Sequence, residues 1–297
     1  MSSQAAFTAT DIRISFECQR LFVFAHCLKI KAMFYPPSGT SGIGWDFHML
    51  ARRLFLELQG NDAYADLFQN DHDELDRVEI AKEIIRKIGH DLVDPWESSR
   101  KIQKVMRKAG GIKRIEAVKM AFSSLIRYIV AMIIENRLYC EPQDVVRKTI
   151  THGGTPVERP MILPNGETVT IQGEFDGIIQ SFMRERPMVV EYKTYQSFDP
   201  SGLMAQAAAY ALILNYHTKK PVDVVLATVF PEWERKVYSF EIIEQNVLPV
   251  LNRQLTRMLS WKEWRPGQPN PPDGPLNKEV CQYCHQKKWC FFILPPA

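Results

Sequence analysis

Three charges set inside buried-strand text constrain this chain more than any other feature of its sequence. The stretch is GEFDGIIQSFMRERPMVVEYKTYQ, residues 173–196, and it places Asp176, Glu191 and Lys193 among apolar and β-branched residues. An unpaired charge is costly to bury. A fold that buries these strands must therefore bring the charges together or supply a counter-ion. Side chains alternate faces along a strand, so Glu191 and Lys193 share one face and Tyr192 takes the other. A turn centred near Arg184 and Glu185 puts Asp176 across from Lys193, with all three polar heads at one edge of a hairpin. Two carboxylates so placed can hold Mg²⁺ or Mn²⁺ through oxygen. Such an ion polarises a phosphodiester and acidifies a bound water, and a nearby lysine orients that water or stabilises phosphate charge. Taken alone, the same three residues also describe a structural ion pair on a half-exposed hairpin.

The surrounding text predicts an α/β fold. Thr10 and Asp11 offer an N-cap for a helix through residues 11–30, and WDFHMLARRLFLEL repeats apolar residues at helical spacing. Residues 72–139 are mostly amphipathic helix, with DPWESS as a break. From about residue 143 the text turns β-rich, with turn signals at Gly153–Gly154 and Asn165–Gly166. A helix over SGLMAQAAAYALILNYH, two strands, a further helix and the proline-rich RPGQPNPPDGP follow. This order implies a central mixed sheet flanked by helices, a helical insertion and a cysteine-rich tail. The expected organisation is an N-terminal part of the core domain (1–54), a helical insertion (55–142), a core (143–262), and a linker with a C-terminal cluster segment (263–297).

GEFDGII…VVEYKT resembles the catalytic hairpin of the PD-(D/E)XK nucleases, in particular their RecB-like branch. That branch carries Gln-x-x-x-Tyr on the helix after the hairpin, here Gln206 and Tyr210 of QAAAY, which helical spacing puts on one face. It also places an early histidine on a helix after a glycine-containing turn, here His48 of GIGWDFHMLARRLF. The resemblance implies a restriction-endonuclease-like core. It implies a Mg²⁺- or Mn²⁺-dependent deoxyribonuclease in which His48, Asp176 and Glu191 hold the metal. Lys193 would then position the attacking water, and Gln206 and Tyr210 would support Lys193 and substrate.

Six cysteines without a secretory signal argue for metal or catalytic use rather than a disulfide frame. CQYCHQKKWC supplies Cys281, Cys284 and Cys290, one short of a four-ligand site. The arrangement resembles iron–sulfur members of the RecB-like group, such as the CRISPR-associated Cas-four nucleases, which add one N-terminal cysteine. Here that cysteine is Cys18 of CQR, with Gln19 where proline is usual. The resemblance implies a [4Fe–4S] cluster clipping the chain ends together. Spacing alone leaves zinc open, with His285 as a Cys₃His ligand, and leaves Cys27 as a rival to Cys18. Cys27 and Cys140 otherwise pack as small hydrophobes.

The formal charge of +3 permits a nucleic-acid partner without demanding one. RKIQKVMRKAGGIKR (100–114) is the densest basic stretch, with Lys104, Arg107 and Lys108 as candidate phosphate contacts beside Arg20. A solvated helix face would look the same. The start lacks a signal-peptide pattern, and Lys119 and Arg127 interrupt the most apolar helix. The expectation is a cytoplasmic protein with no membrane contact. The resemblance further implies cleavage of single-stranded ends or overhangs, trimming DNA for integration by a Cas-one–Cas-two complex. The alternatives are an end-processing nuclease of a repair, phage or mobile-element system, working with a helicase, or a DNA-end binding subunit with a gated site.

Overall fold

The computed structural model describes residues 5–26, 43–68, 74–151, 156–194, 200–229, 232–269 and 271–293. The chain starts with β1 (Ala5–Thr8) and α1 (Ala9–Glu17). Thr8, rather than Thr10, caps α1: its hydroxyl accepts from the Asp11 N–H at 3.0 Å while Asp11 Oδ2 accepts from the Thr8 N–H at 2.8 Å. This reciprocal box satisfies two amides the helix leaves open. Then come α2 (Gln19–His26), α3 (Ile43–Gly60), α4 (Glu74–Ile88), α5 (Arg100–Met106) and α6 (Gly111–Asn136).

Two corrections to the sequence reading fall in this half. The break at DPWESS is narrower than the sequence suggested: Asp94–Glu97 is itself helical, with its proline in the tolerated first turn, and only Ser98 and Ser99 interrupt the run before Ser99 caps α5. Val145–Thr149 is helix rather than strand. The buried Val145 and Val146 pack beneath the sheet, and that packing overrides their β-branched preference. The Gly153–Gly154 turn lies outside the described residues.

Among the described residues, eight strands make two sheets. β2 (Ile150–Thr151), β3 (Val157–Ile162), β4 (Thr168–Gly173), β5 (Gly177–Ser181) and β6 (Arg186–Lys193) follow in order. After α7 (Pro200–Thr218) come β7 (Asp223–Thr228) and β8 (Glu234–Tyr238), then α8 (Leu248–Glu263). β1, β4 and β3 form the smaller sheet, with β1 parallel to β4. The larger sheet runs β2-β5-β6-β7-β8. β6 and β7 are its parallel pair, joined by α7, and the other pairs are antiparallel. This is the mixed, helix-flanked sheet expected from the sequence.

β6 is the hinge of the architecture, since every residue after Arg186 is buried. Met188, Val190 and Tyr192 enter one core with α3, α4 and α6, whereas Val189 enters a second core with α1, α2, α7 and α8. Each large apolar side chain so buried contributes roughly 1.5–3 kcal/mol. The helices of residues 55–142 thus cover one face of the sheet. By length and composition α6 could cross a membrane despite Lys119 and Arg127, which corrects the expectation that these charges disqualify it. Here Phe122, Leu125, Ile129 and Ile133 are buried against the sheet, and Lys119 Nζ meets Glu97 Oε2 at 2.7 Å.

Candidate active site

The hairpin register decides which polar groups meet. Gly177 pairs with Val190 and Ser181 with Arg186, so Asp176 stands opposite Glu191, not Lys193 as the sequence suggested. The turn centres between Met183 and Arg184, one residue early, with Glu185 at φ +52°. Asn136 of α6 fixes this position: its Oδ1 accepts from the Phe182 N–H at 2.9 Å and its Nδ2 donates to the Gln180 carbonyl at 2.6 Å.

Asp176 bridges two elements. Its Oδ2 accepts from the Tyr192 N–H at 2.9 Å, and its Oδ1 lies 2.8 Å from His48 Nδ1. α3 reaches this point because Gly44 permits it: a Cβ there would come within 2.4 Å of Thr194 Oγ1, just beyond β6. Phe47 then packs edge-on against the Tyr192 ring at 5.4 Å, which sets the helix on the sheet and points His48 at Asp176.

A second chain of contacts starts from β6. Lys193 Nζ donates to Glu191 Oε1 at 2.5 Å and to Gln206 Oε1 at 2.9 Å. Gln206 Nε2 reaches the Tyr210 hydroxyl at 3.2 Å, one helical turn along α7. Gly173 makes room for that tyrosine, since a Cβ at Gly173 would meet Tyr210 Cε1 at 2.5 Å. The glycine roles at 44 and 173 escaped the sequence reading, although a glycine in a strand signals close approach.

Exposure grades the site. Glu191, Lys193, Gln206 and Tyr210 are buried, while the side chains of Asp176 and His48 keep 21% and 36% of their surface. Burial pushes the Glu191 carboxyl up to about 7; the Lys193 ammonium pulls the other way and Asp176 adds to the rise. For His48 burial alone would depress the imidazole, but the Asp176 hydrogen bond and charge outweigh it and hold it above its ordinary value. Burial likewise raises the Tyr210 phenol. Asp176 and His48 thus touch at a solvent-reaching edge with the buried Glu191 close enough to act on both, and the two carboxylates are the hard donors that suit Mg²⁺ or Mn²⁺. As the side chains stand, with His48 bonded to Asp176 and Glu191 to Lys193, no group of three is gathered for an ion among the described residues.

The chain ends also meet. Cys18 is buried, and burial pushes its thiol up to about 12, with Cys284, Cys290 and Cys281 close enough to raise it further. Arg20 is engaged here, its Nε donating to the Pro272 carbonyl at 3.0 Å and its Nη1 standing 3.8 Å from Cys290 Sγ. Four sulfurs in mutual range supply the right donors for a thiolate-bound metal group, but they too are not drawn into a ligand cage. Cys27 lies outside the described residues. Cys140 is half-buried, its Sγ 3.4 Å from the Asn136 carbonyl. His285 is exposed.

Lys104, Arg107 and Lys108 are exposed at the end of α5. α5 is tied to the active-site helix, because Lys101 Nζ stands 2.7 Å from Asp46 Oδ2, an ion-pair contact not aligned as a hydrogen bond. The same ammonium lies 5.6 Å from the centre of the exposed Trp45 ring.

A family model described as the PD-(D/E)XK nuclease superfamily matches residues 6–291. No curated protein matches the chain. Fifteen chains among solved structures do. One is the crystal structure of SSO0001, 16% identical, covering 66% of this chain and 84% of that one at a TM-score of 0.32. Another is a Eubacterium rectale protein described as "Putative exonuclease", 12% identical, covering 86% and 93% at a TM-score of 0.33.

Proposed function

This chain belongs to the PD-(D/E)XK nuclease superfamily, and from that premise we propose that it is a divalent-cation-dependent deoxyribonuclease acting on single-stranded ends or overhangs. The observation that carries the reading is the Asp176–His48 contact within electrostatic reach of the buried Glu191, with Lys193 clamped between Glu191 and Gln206. Asp176, Glu191 and His48 would hold Mg²⁺ or Mn²⁺, which supplies Lewis acidity toward the phosphodiester and a more acidic water. Lys193 orients the attacking water and offsets charge on the phosphate. Gln206, backed by Tyr210, fixes the ammonium at the position where it acts. The buried Glu191 keeps bulk water from that side of Lys193.

The Cys18, Cys281, Cys284 and Cys290 donors support a [4Fe–4S] clip joining the chain ends, which would close a very long loop. Finding iron and acid-labile sulfide in protein purified without oxygen would support it. Stoichiometric zinc instead would replace it with a zinc clip. Free thiols of this kind fit a reducing cytoplasm. The proposed role is trimming DNA before a Cas-one–Cas-two complex integrates it. The rival is end processing beside a helicase in a repair, phage or mobile-element system. Trimming of overhangs in the presence of the integrase decides between them.

The test is cleavage of 5′- and 3′-labelled single-stranded, overhang and blunt duplex DNA with Mg²⁺ or Mn²⁺, with EDTA as control. Cation-dependent loss of the single-stranded substrates supports the reading. An inert protein that still binds DNA ends favours a gated binding subunit, and preferential cutting of blunt duplex overturns the substrate assignment.

A further inference from the structure

A cleft of about 860 Å³ opens beside the active centre, on the sheet face that carries Glu191 and Lys193. Lys193 lines one end of it, so cleft and centre share a wall. The sheet register supplies the floor: Leu226 lies beside Glu191, Thr228 beside Lys193, and Tyr238 beside Val224 on the edge strand β8. The opening turns of α7 and the start of α8, through Val247 and Val250, form the walls. We propose that this cleft docks an unpaired nucleobase of the DNA strand whose phosphodiester lies at the Asp176–Glu191–Lys193 centre. The proposal rests on the nuclease reading above and adds to it the part of the substrate that this surface recognises.

Three observations carry it. Among the described residues the cleft is lined by three aromatic rings, Phe16, Trp233 and Tyr238, and every nucleobase offers a π-face for such rings. Away from the Lys193 end, where the phosphodiester lies, its charge does not suit a phosphate. Among the described residues the lining cations are Lys193, bonded to Glu191 and Gln206, and, farther along, Lys236, whose Nζ lies 3.1 Å from Glu234 Oε1. Glu232 and Glu234 add negative charge at the rim. A neutral heteroaromatic ring tolerates that rim where a phosphate does not. The carboxylates and Asn246 can accept from exocyclic amines such as those of cytosine and adenine. Finally, the volume falls within the ~300–1,000 Å³ range of small-ligand clefts. A paired, stacked base cannot enter without leaving its duplex. The cleft therefore favours a strand that is already single.

The test is equilibrium binding of short single-stranded oligonucleotides bearing one 2-aminopurine, walked along the sequence, in EDTA so that no cleavage intervenes. Wild-type protein is expected to quench the probe at one or two adjacent positions. Tyr238→Ala should remove that quenching and weaken binding about ten-fold, the scale of one lost base stack. Val250→Trp, which fills the cleft from a position 38% exposed, should do the same without touching the sheet. Quenching and affinity that both survive Val250→Trp overturn the proposal, whether or not Tyr238→Ala folds. Cleavage parallel to the binding separates the two claims. A protein that cuts DNA but ignores both substitutions keeps the nuclease reading and loses the cleft. One that cuts nothing but loses quenching in both variants keeps the cleft and loses the nuclease reading.

Discussion

Lys193 Nζ lies 2.9 Å from Gln206 Oε1, so the helix after the hairpin holds in place the lysine that the hairpin supplies. The contact joins β6 to α7 inside the second core, where neither side chain has appreciable solvent access. A lysine anchored only by Glu191 would be pulled toward the carboxylate and away from substrate.

Gln206→Ala should therefore leave the protein folded and lower kcat on DNA by roughly ten- to a hundred-fold, the usual cost of losing a group that orients a site residue. KM should change little. Steady-state cleavage with a thermal melt checks this, and a fall in Tm without a fall in kcat would assign Gln206 to packing alone.

Gly173→Ala tests the same relay from behind. The added methyl would overlap the Tyr210 ring, which sits among buried aromatic and aliphatic groups. Overpacking of this kind costs about 1–3 kcal/mol, and displaced Tyr210 should loosen Gln206 as well. Denaturant melts should show the loss of stability, and cleavage should fall with it.

Tyr192 separates shape from polarity. Its ring is buried against Phe47, and its hydroxyl has no hydrogen-bond partner among the described residues. Tyr192→Phe should be neutral or stabilising, since it removes an unsatisfied polar group worth about 1–3 kcal/mol. Tyr192→Ala should cost about 3–5 kcal/mol through the cavity it leaves. Urea unfolding of the two variants measures both.

Away from the site, Glu241 predicts an acid response. Arg186 grips it with Nη2 to Oε1 at 2.7 Å and Nη1 to Oε2 at 3.0 Å, and this hydrogen bonding pulls the carboxyl down to about 2. A depressed folded-state value means the contribution is present above the unfolded glutamate value near ~4.3. It is lost as pH falls toward about 2. Carboxyl NMR should place the Glu241 midpoint there, and Arg186→Gln should return it toward the ordinary range.

The face-sharing of Glu191 and Lys193 was legible in the sequence because strand alternation is local and rigid. The pairing of Asp176 was not, because the turn is positioned by Asn136 on a helix far away in sequence. Val145 and Val146 read as strand residues until the sheet above them claims them for a helix. Gly44 and Gly173 carry no message until Thr194 and Tyr210 are known to lie against them. The cleft beside Lys193 draws on α1, α7, β7, β8 and the start of α8, and no single segment announces it.

The most direct measurement compares wild type, Lys193→Ala and Asp176→Asn for cleavage of end-labelled single-stranded DNA in Mg²⁺ and in Mn²⁺, with binding of the same DNA measured in EDTA. The account predicts cation-dependent cleavage by wild type, loss of cleavage in both variants, and DNA binding that persists in both, weakened in Lys193→Ala by the loss of one phosphate-facing cation. Cleavage that survives in folded Lys193→Ala would contradict it and place the chemistry away from the hairpin of residues 173–196.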